Sequence, residues 1–327
     1  MGESVMSLHL RSSRGAFLAA GAAFAAVPRI GAAQALPQIT IGTSPIDGAM
    51  GVVAALRAGY FRKYGLDASL AVANGAANAA AVTGGSLQFA ASNIVTLIKA
   101  HLHGLPFQVV APGAIYSSDN PTQVLVVPKG SPLHDAADLN GKTIGTTSLG
   151  DILAQSTLAW IDQHGGDSAS VHLVEIPPTA IEGALHTGRI DAATLAEPHL
   201  SEAVGDGSVV IFAKIFDAIG QRFAESAYFA MPAYIDANRD VTVRFAKAIL
   251  AGNVFANEHP DRTAPWLVES AKVDLASVKR SRREVFAPAM DPAQIQVVID
   301  ALVRMKAIER GFAATDMISP VVIGLRP

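Results

Sequence analysis

The sequence predicts an α/β protein of two similar lobes with a site between them. Three observations carry that expectation. The segment Gly188-Arg189-Ile190-Asp191-Ala192-Ala193, closed by Glu197-Pro198, repeats in outline the earlier segment Gly85-Ser86-Leu87-Gln88-Phe89-Ala90. In each copy an Ala-rich, helix-forming run, 78–83 and 180–187, stops at glycine and is answered by a short apolar stretch. That is how a helix ended by a left-handed cap gives way to a strand. Two such units about a hundred residues apart point to a pair of α/β domains flanking a cleft rather than to one large sheet. The third observation is bulk composition: 327 residues, 50% hydrophobic and 16% charged, are enough for two packed cores and rule out a disordered chain.

Taken in chain order, the first element is an export signal over 1–35. Arg11 and Arg14 precede an apolar run, 16–27, and Ala33-Gln34-Ala35 forms a small-x-small cleavage site. The run is shorter than a spanning helix needs and is broken by Pro28 and Arg29. Ser13-Arg14-Gly15-Ala16-Phe17-Leu18 is similar to the twin-arginine export pattern, with Gly15 where the second arginine belongs, so Tat and Sec routes both stay open. No later segment is long and apolar enough to cross a membrane, and the mature protein is expected in the periplasm.

The mature chain opens with a strand at 39–42, a polar loop at 43–48 and a helix over 49–64 ended by Gly65. Strands follow at 67–72 and 87–91, then at 109–110 and 124–127, the last closed by the turn cluster Pro128-Lys129-Gly130-Ser131-Pro132. The first crossing between lobes is placed there, which divides the chain into lobe one (36–127 plus 226–327) and lobe two (128–225). Lobe two reads as a strand at 143–146, an N-capped helix over 152–163, a strand at 171–176 and then the repeated unit. After strands at 209–212 and 228–231, with a return crossing near 225–228, the remainder is mostly helical. Asp291-Pro292 begins a helix whose apolar stripe, Ile295, Val298, Ile299, Leu302 and Met305, is core packing.

The chain carries no nucleophile elbow, Walker loop, dinucleotide fingerprint or His-Glu-x-x-His motif. Cysteine is absent, which removes disulfides, thiolate metal sites and thiol catalysis. A net charge of -3 gives no footprint for nucleic acid. His101-Leu102-His103 sits at a helix end, where imidazoles favour the terminal carbonyls. The run Lys279, Arg280, Arg282, Arg283 reads as a solvated helical face. No cofactor and no metal site are expected.

Binding signals are stronger. Thr43-Ser44, Ser92-Asn93 and Thr146-Thr147-Ser148 are hydroxyl-rich turns at the carboxyl ends of strands, where open α/β sheets hold ligands. Plain N-capping explains any one of them equally well. Asp47, Asp151 and Glu197 add three carboxylates. If Asp47 and Glu197 face the site, a simple inorganic anion is repelled and a ligand bearing an amino, amidine or hydroxyl group is preferred.

Several segments together resemble the substrate-binding proteins of nitrate, sulfonate and taurine ABC importers, a group that includes the thiamine-precursor binders. They are Ile41-Gly42, Ala58-Gly59-Tyr60-Phe61 with Tyr64-Gly65-Leu66, the 124–132 strand and turn, Asp138-Leu139-Asn140-Gly141-Lys142, and the Gly188 unit with Glu197-Pro198. The resemblance implies a type II periplasmic binding protein with two connecting strands and a ligand closed in the interlobe cleft. It places Ser44, Asp47, Ser92, Asn93, Thr147, Ser148, Glu197 and Tyr228 in the pocket, with Ser226 nearby. Gln88 departs from the family, which has aspartate there, and leaves the local hydrogen bonding open. The implied function is to capture a small polar organic solute, sulfonate- or taurine-like, and deliver it as a monomer to an ABC permease and ATPase. A pyrimidine binder using Asp47, Glu197, Tyr116 and Tyr228 is the alternative; an enzyme of the pyrimidine-synthase kind and a periplasmic sensor are weaker ones.

Overall fold

The computed structural model describes residues 35–73 and 75–327; the expected export segment falls on residues outside this range, save Ala35. The first sheet gathers β1 (Gln38–Thr43), β2 (Asp67–Val72), β3 (Phe89–Asn93) and β4 (Gln108–Pro112). Between them run α1 (Met50–Arg57), α2 (Tyr60–Lys63), α3 (Gly75–Thr83) and α4 (Ile94–Leu102). β5 (Ala114–Ser117) leads out of this sheet, and a second begins with β6 (Gln123–Pro128), β7 (Thr143–Thr146), α5 (Ile152–Gln163) and β8 (His172–Glu175). It continues through α6 (Ile181–His186), β9 (Ala192–Ala196), α7 (His199–Gly205) and β10 (Val209–Ala213). The chain returns through β11 (Arg222–Ala224) and β12 (Ser226–Ala230) to the helices α8 (Pro232–Ala237), α9 (Arg239–Glu258), α10 (Pro260–Ala271) and α11 (Leu275–Arg280). A short β13 (Val285–Phe286) and α12 (Pro292–Arg304) complete it.

The two sheets have matching orders, β2-β1-β3-β12-β4 and β8-β7-β9-β6-β10. In both, three parallel strands are followed by one antiparallel strand, and that strand is the segment arriving from the other lobe: β12 beside β3, β6 beside β9. β6 therefore belongs to the second sheet. The apolar run 124–127 was expected to close the first lobe, but its partners are β9 and β10, so the crossing falls between Ser117 and Gln123 rather than at the Pro128 turn. The outward and return segments β5 and β11 pair with each other, and β13 adds a third strand at their side. This is the two-lobe periplasmic-binding-protein architecture the sequence predicts.

The repeated unit has a structural role in both lobes. The Thr143 N–H donates to Asp191 Oδ2 at 2.9 Å, and the Asp191 N–H donates to the Thr143 carbonyl at 2.8 Å. In the first lobe the Thr40 N–H donates to Gln88 Oε1 at 2.8 Å and the Gln88 N–H to the Thr40 carbonyl at 3.2 Å. The longer glutamine thus makes the same two-way clasp between neighbouring strands as the aspartate.

The helix expected over 49–64 is broken. Ala58 ends α1, and Gly59 adopts φ +81°, a left-handed conformation that costs glycine little, before α2 restarts the chain. The stripe on α12 is buried at Ile295, Val298, Ile299 and Leu302. Where α1 crosses α9, Gly51 and Gly252 let the backbones meet: a Cβ on Gly252 would lie 2.4 Å from the Gly51 carbonyl oxygen. Gly252→Ala is expected to lose about 1–3 kcal/mol, the usual cost of overpacking a tight contact; chemical denaturation checks this, and an unchanged midpoint would contradict it. Among the described residues no helix is long and apolar enough to cross a membrane.

Candidate functional site

β1 ends at Thr43, and the following turn is fixed by Ser44, whose hydroxyl donates to the Ala73 carbonyl at 3.2 Å. Asp47 lies three residues on, 2% exposed. Its carboxylate is held by Arg283: Nε donates to Oδ1 and Oδ2 at 3.0 and 3.1 Å, and Nη2 donates to Oδ1 at 2.7 Å. The Glu284 N–H donates to Oδ2 at 2.8 Å. Arg283 spends its remaining donors on the Pro260 carbonyl and the Thr263 hydroxyl. A planar guanidinium gripping a carboxylate through several bonds is the strongest form of ion pair, and this one is largely shielded from water.

Two further acids lie beside this pair. Glu225 stands between β11 and β12; its N–H donates to the Ala114 carbonyl and its carbonyl accepts from the Ile94 N–H, each at 2.9 Å. Oε1 accepts from the Gln123 amide, and Oε2 is buried with no hydrogen-bond partner among the described residues. Glu284 Oε1 accepts from the Thr122 hydroxyl at 2.7 Å. Burial raises the Glu225 carboxyl to about 7, the Gln123 bond opposes this, and the charge of Asp47 adds to the rise. Burial, then the charges of Glu225 and Asp47, push Glu284 well above the carboxylate range. A buried carboxyl lacking a cation takes up a proton rather than remain ionised.

Glu197 joins the same region from the second lobe. Its N–H donates to the Thr122 carbonyl at 2.9 Å, and its carboxylate accepts from the Ser201 hydroxyl and N–H at 2.9 and 3.0 Å and from the Arg282 N–H at 3.3 Å. Burial raises its pKa, and the bonds from Ser201 and Arg282 lower it in part. On the first lobe, Ser92 and Asn93 are half-buried opposite Ala227 and Ser226. Asn93 N-caps α4, its Oδ1 accepting from the Thr96 N–H at 2.9 Å. On the second, Thr147 and Ser148 are half-buried, and the Thr147 hydroxyl donates to Asp151 Oδ2 at 3.3 Å. Asp151 caps α5 through the Ala154 N–H at 3.0 Å.

The structure thus ties Asp47 and Glu197 to one stretch of chain, 282–284, and connects the Ser92–Asn93 turn to Glu225 through the pairing of β3 with β12. Thr147 and Ser148 sit on the turn before α5. Tyr228 differs from the expectation: it is 1% exposed, its ring edge on Phe245, because alternate residues of a central strand must face the first lobe's core. Its ring is packed in the core of the first lobe and presents no face to the turns named above. Tyr116 is likewise interior, its hydroxyl donating to Asp217 at 2.7 Å, and Ser226 is occupied by the Ala114 N–H. Among the described residues no group of three or more metal-ligating side chains is assembled.

Glu225, Glu284, Gln123, Thr122 and Arg283 escaped the reading of the sequence. A signal existed for Glu225, an acid embedded in the apolar run Phe223-Ala224-Glu225-Ser226-Ala227. The basic run suggests a solvated helical face for Arg283, yet α11 stops at Arg280 and Ser281 is extended, so Arg283 leaves the helix and turns inward to Asp47.

Comparison with known proteins follows the same outline. The family model described as NMT1/THI5 like matches residues 48–263. Among solved structures, the chain is similar to the alkanesulfonate-binding protein SsuA from Xanthomonas axonopodis pv. citri bound to MOPS, at 15% identity and a TM-score of 0.71 over 86% of this chain and 98% of that one. It is similar to the Candida albicans CA3427 gene product, which exhibits the generic periplasmic binding protein fold, at 13% identity and a TM-score of 0.72 over 89% and 99%. The desulfurization enzyme DSZB is similar at 16% identity and a TM-score of 0.61 over 87% and 96%. At these identities the likeness is one of fold. No curated protein sequence matches the chain.

Proposed function

Because this chain belongs to the NMT1/THI5-like family and has the two-lobe periplasmic-binding-protein fold, we propose that it is a non-catalytic, monomeric solute-binding protein of the periplasm. It captures a small polar organic molecule between its lobes and hands it to an ABC permease and its ATPase. The walls of the site are the turns at Ser44, Ser92–Asn93 and Thr147–Ser148, with Asp47, Glu197, Glu225 and Glu284 at its base.

One observation supports the choice of ligand: among the described residues Glu225 Oε2 is buried without a partner, next to a second buried acid, and no cation is bonded to either. A ligand N–H satisfies that oxygen, whereas a sulfonate or nitrate leaves its own charge in a poorly solvated setting where neither acid is bonded to a cation among the described residues. This favours the aminopyrimidine class, or an amine, over a plain sulfonate or nitrate. The fold neighbour that is an enzyme does not weigh against binding, since function follows the site rather than the fold.

A thermal-shift and calorimetry panel of a 4-aminopyrimidine, taurine, ethanesulfonate and nitrate tests the reading. The aminopyrimidine is expected to raise the melting temperature, at a hundredfold excess over Kd by the equivalent of about 2.7 kcal/mol. Glu225→Gln is expected to weaken its binding tenfold or more, on the order of one strong hydrogen bond. Stabilisation by ethanesulfonate with none by the amino compounds would overturn the ligand class.

A further inference from the structure

The Lys99 side chain, on α4 of the first lobe, reaches the second lobe: Nζ donates to the Gly150 carbonyl at 3.2 Å. Gly150 immediately precedes Asp151, the N-cap of α5, and Asp151 also accepts the Thr147 hydroxyl. The turn 147–151 is therefore tied to itself through one carboxylate, and Lys99 docks on it as a unit. The acceptor is main chain, so the contact reads the turn's position rather than its side chains.

Both charged partners are partly withdrawn from water. Burial lowers the Lys99 ammonium and the charge of Asp151 opposes this. Burial raises Asp151, and its hydrogen bonds and Lys99 offset the rise in part. An ammonium is strongly hydrated, so the bond to Gly150 exchanges one favourable setting for another. Contacts balanced in this way are made and broken easily, as a closing domain pair requires. Further bonds between the lobes include those from Arg282 to Glu197 and to the Pro121 carbonyl, from Thr122 to Glu284 and from Arg304 to the Ile219 carbonyl, most of them beside the crossing strands. Lys99 is carried by α4, which packs on α12 and β3 in the first lobe and touches α5 of the second.

We infer that Lys99 is an interlobe latch, a positioning residue whose ammonium grips the main chain of the turn 147–151 and sets how far the lobes stand apart. It does so whichever solute the protein takes, so its test needs no ligand and can fail independently of the proposed function.

The absence of cysteine makes the measurement direct. Thr83→Cys and Thr187→Cys, at exposed ends of the two Ala-rich helices, carry a pair of spin labels without background labelling. In the purified protein at pH 7 without added solute, Lys99→Met is expected to shift the mean interlabel distance by more than about 2 Å, the scale of a domain rearrangement. Lys99→Arg, which keeps the charge and the donors, is expected to keep the parent distribution. Should the methionine variant not fold, Lys99→Gln is read in the same way. Coincident distance distributions for the parent and the neutral variant, with or without a change in melting temperature, overturn the latch.

Discussion

Replacing Arg283 by methionine is expected to destabilise the protein by about 3–5 kcal/mol, the usual cost of stripping one partner from a buried ion pair. The magnitude follows from what remains behind. Asp47 is 2% exposed and loses three of its charge-assisted bonds at once, beside two further buried acids. Urea denaturation at pH 7.5 measures it. The double variant Arg283→Met with Asp47→Leu is expected to recover part of the loss, because removing both charges leaves no orphan. A loss under about 1 kcal/mol for the single variant would mean that the pair behaves as a surface salt bridge.

The second large effect has the opposite sign. Glu225 has a folded-state pKa of about 7, raised by burial, against the ordinary carboxylate value of about 4.3 in the unfolded chain. Between those values the folded state holds a proton that the unfolded state has released. Stability is therefore greatest at the acidic end of that window and is lost as pH rises through about 7, since the unfolded state binds fewer protons there. The loss across the window is about 4 kcal/mol for the one group. Glu284 acts in the same direction, raised by burial and by the charges beside it. Glu225→Gln is expected to flatten this dependence and to be more stable than the parent at pH 8, while binding an amino ligand less well. Parallel pH–stability curves for parent and variant would show that Glu225 is not the group responsible.

The lobes were legible because their evidence is local. Gly85 and Gly188 stop helices, and the residues after them are short apolar runs, whatever the rest of the chain does. Even the mismatch at Gln88 was of no consequence, since glutamine reaches the Thr40 N–H as aspartate reaches Thr143. The lobe to which β6 belongs was not legible: four apolar residues do not record which strands they will pair with, and their partners β9 and β10 lie far along the chain. The acid cluster was hidden for the same reason. Asp47 and Arg283 are 236 positions apart, and only the folded chain makes them neighbours. Asp47 and Glu197 stand out in the sequence only as single residues in suggestive turns, while Glu225 and Glu284 need the crossing strands to give them a setting. Tyr228 was misplaced because a strand residue's side is decided by pairing, not by its distance from a turn.

The interleaving of the sheets also sets an order of assembly. Every strand of the second sheet lies between Gln123 and Ala213, so a chain emerging N-terminus first carries that sheet entire before the first can be finished. The first sheet waits for Ser226–Ala230, which fills the gap between β3 and β4. Until that strand arrives, β3 and β4 each present an open edge, a template for pairing with other chains. The nascent first lobe is thus the part of the molecule that most needs shelter during biogenesis, and truncation before Ser226 leaves both edges permanently unpaired.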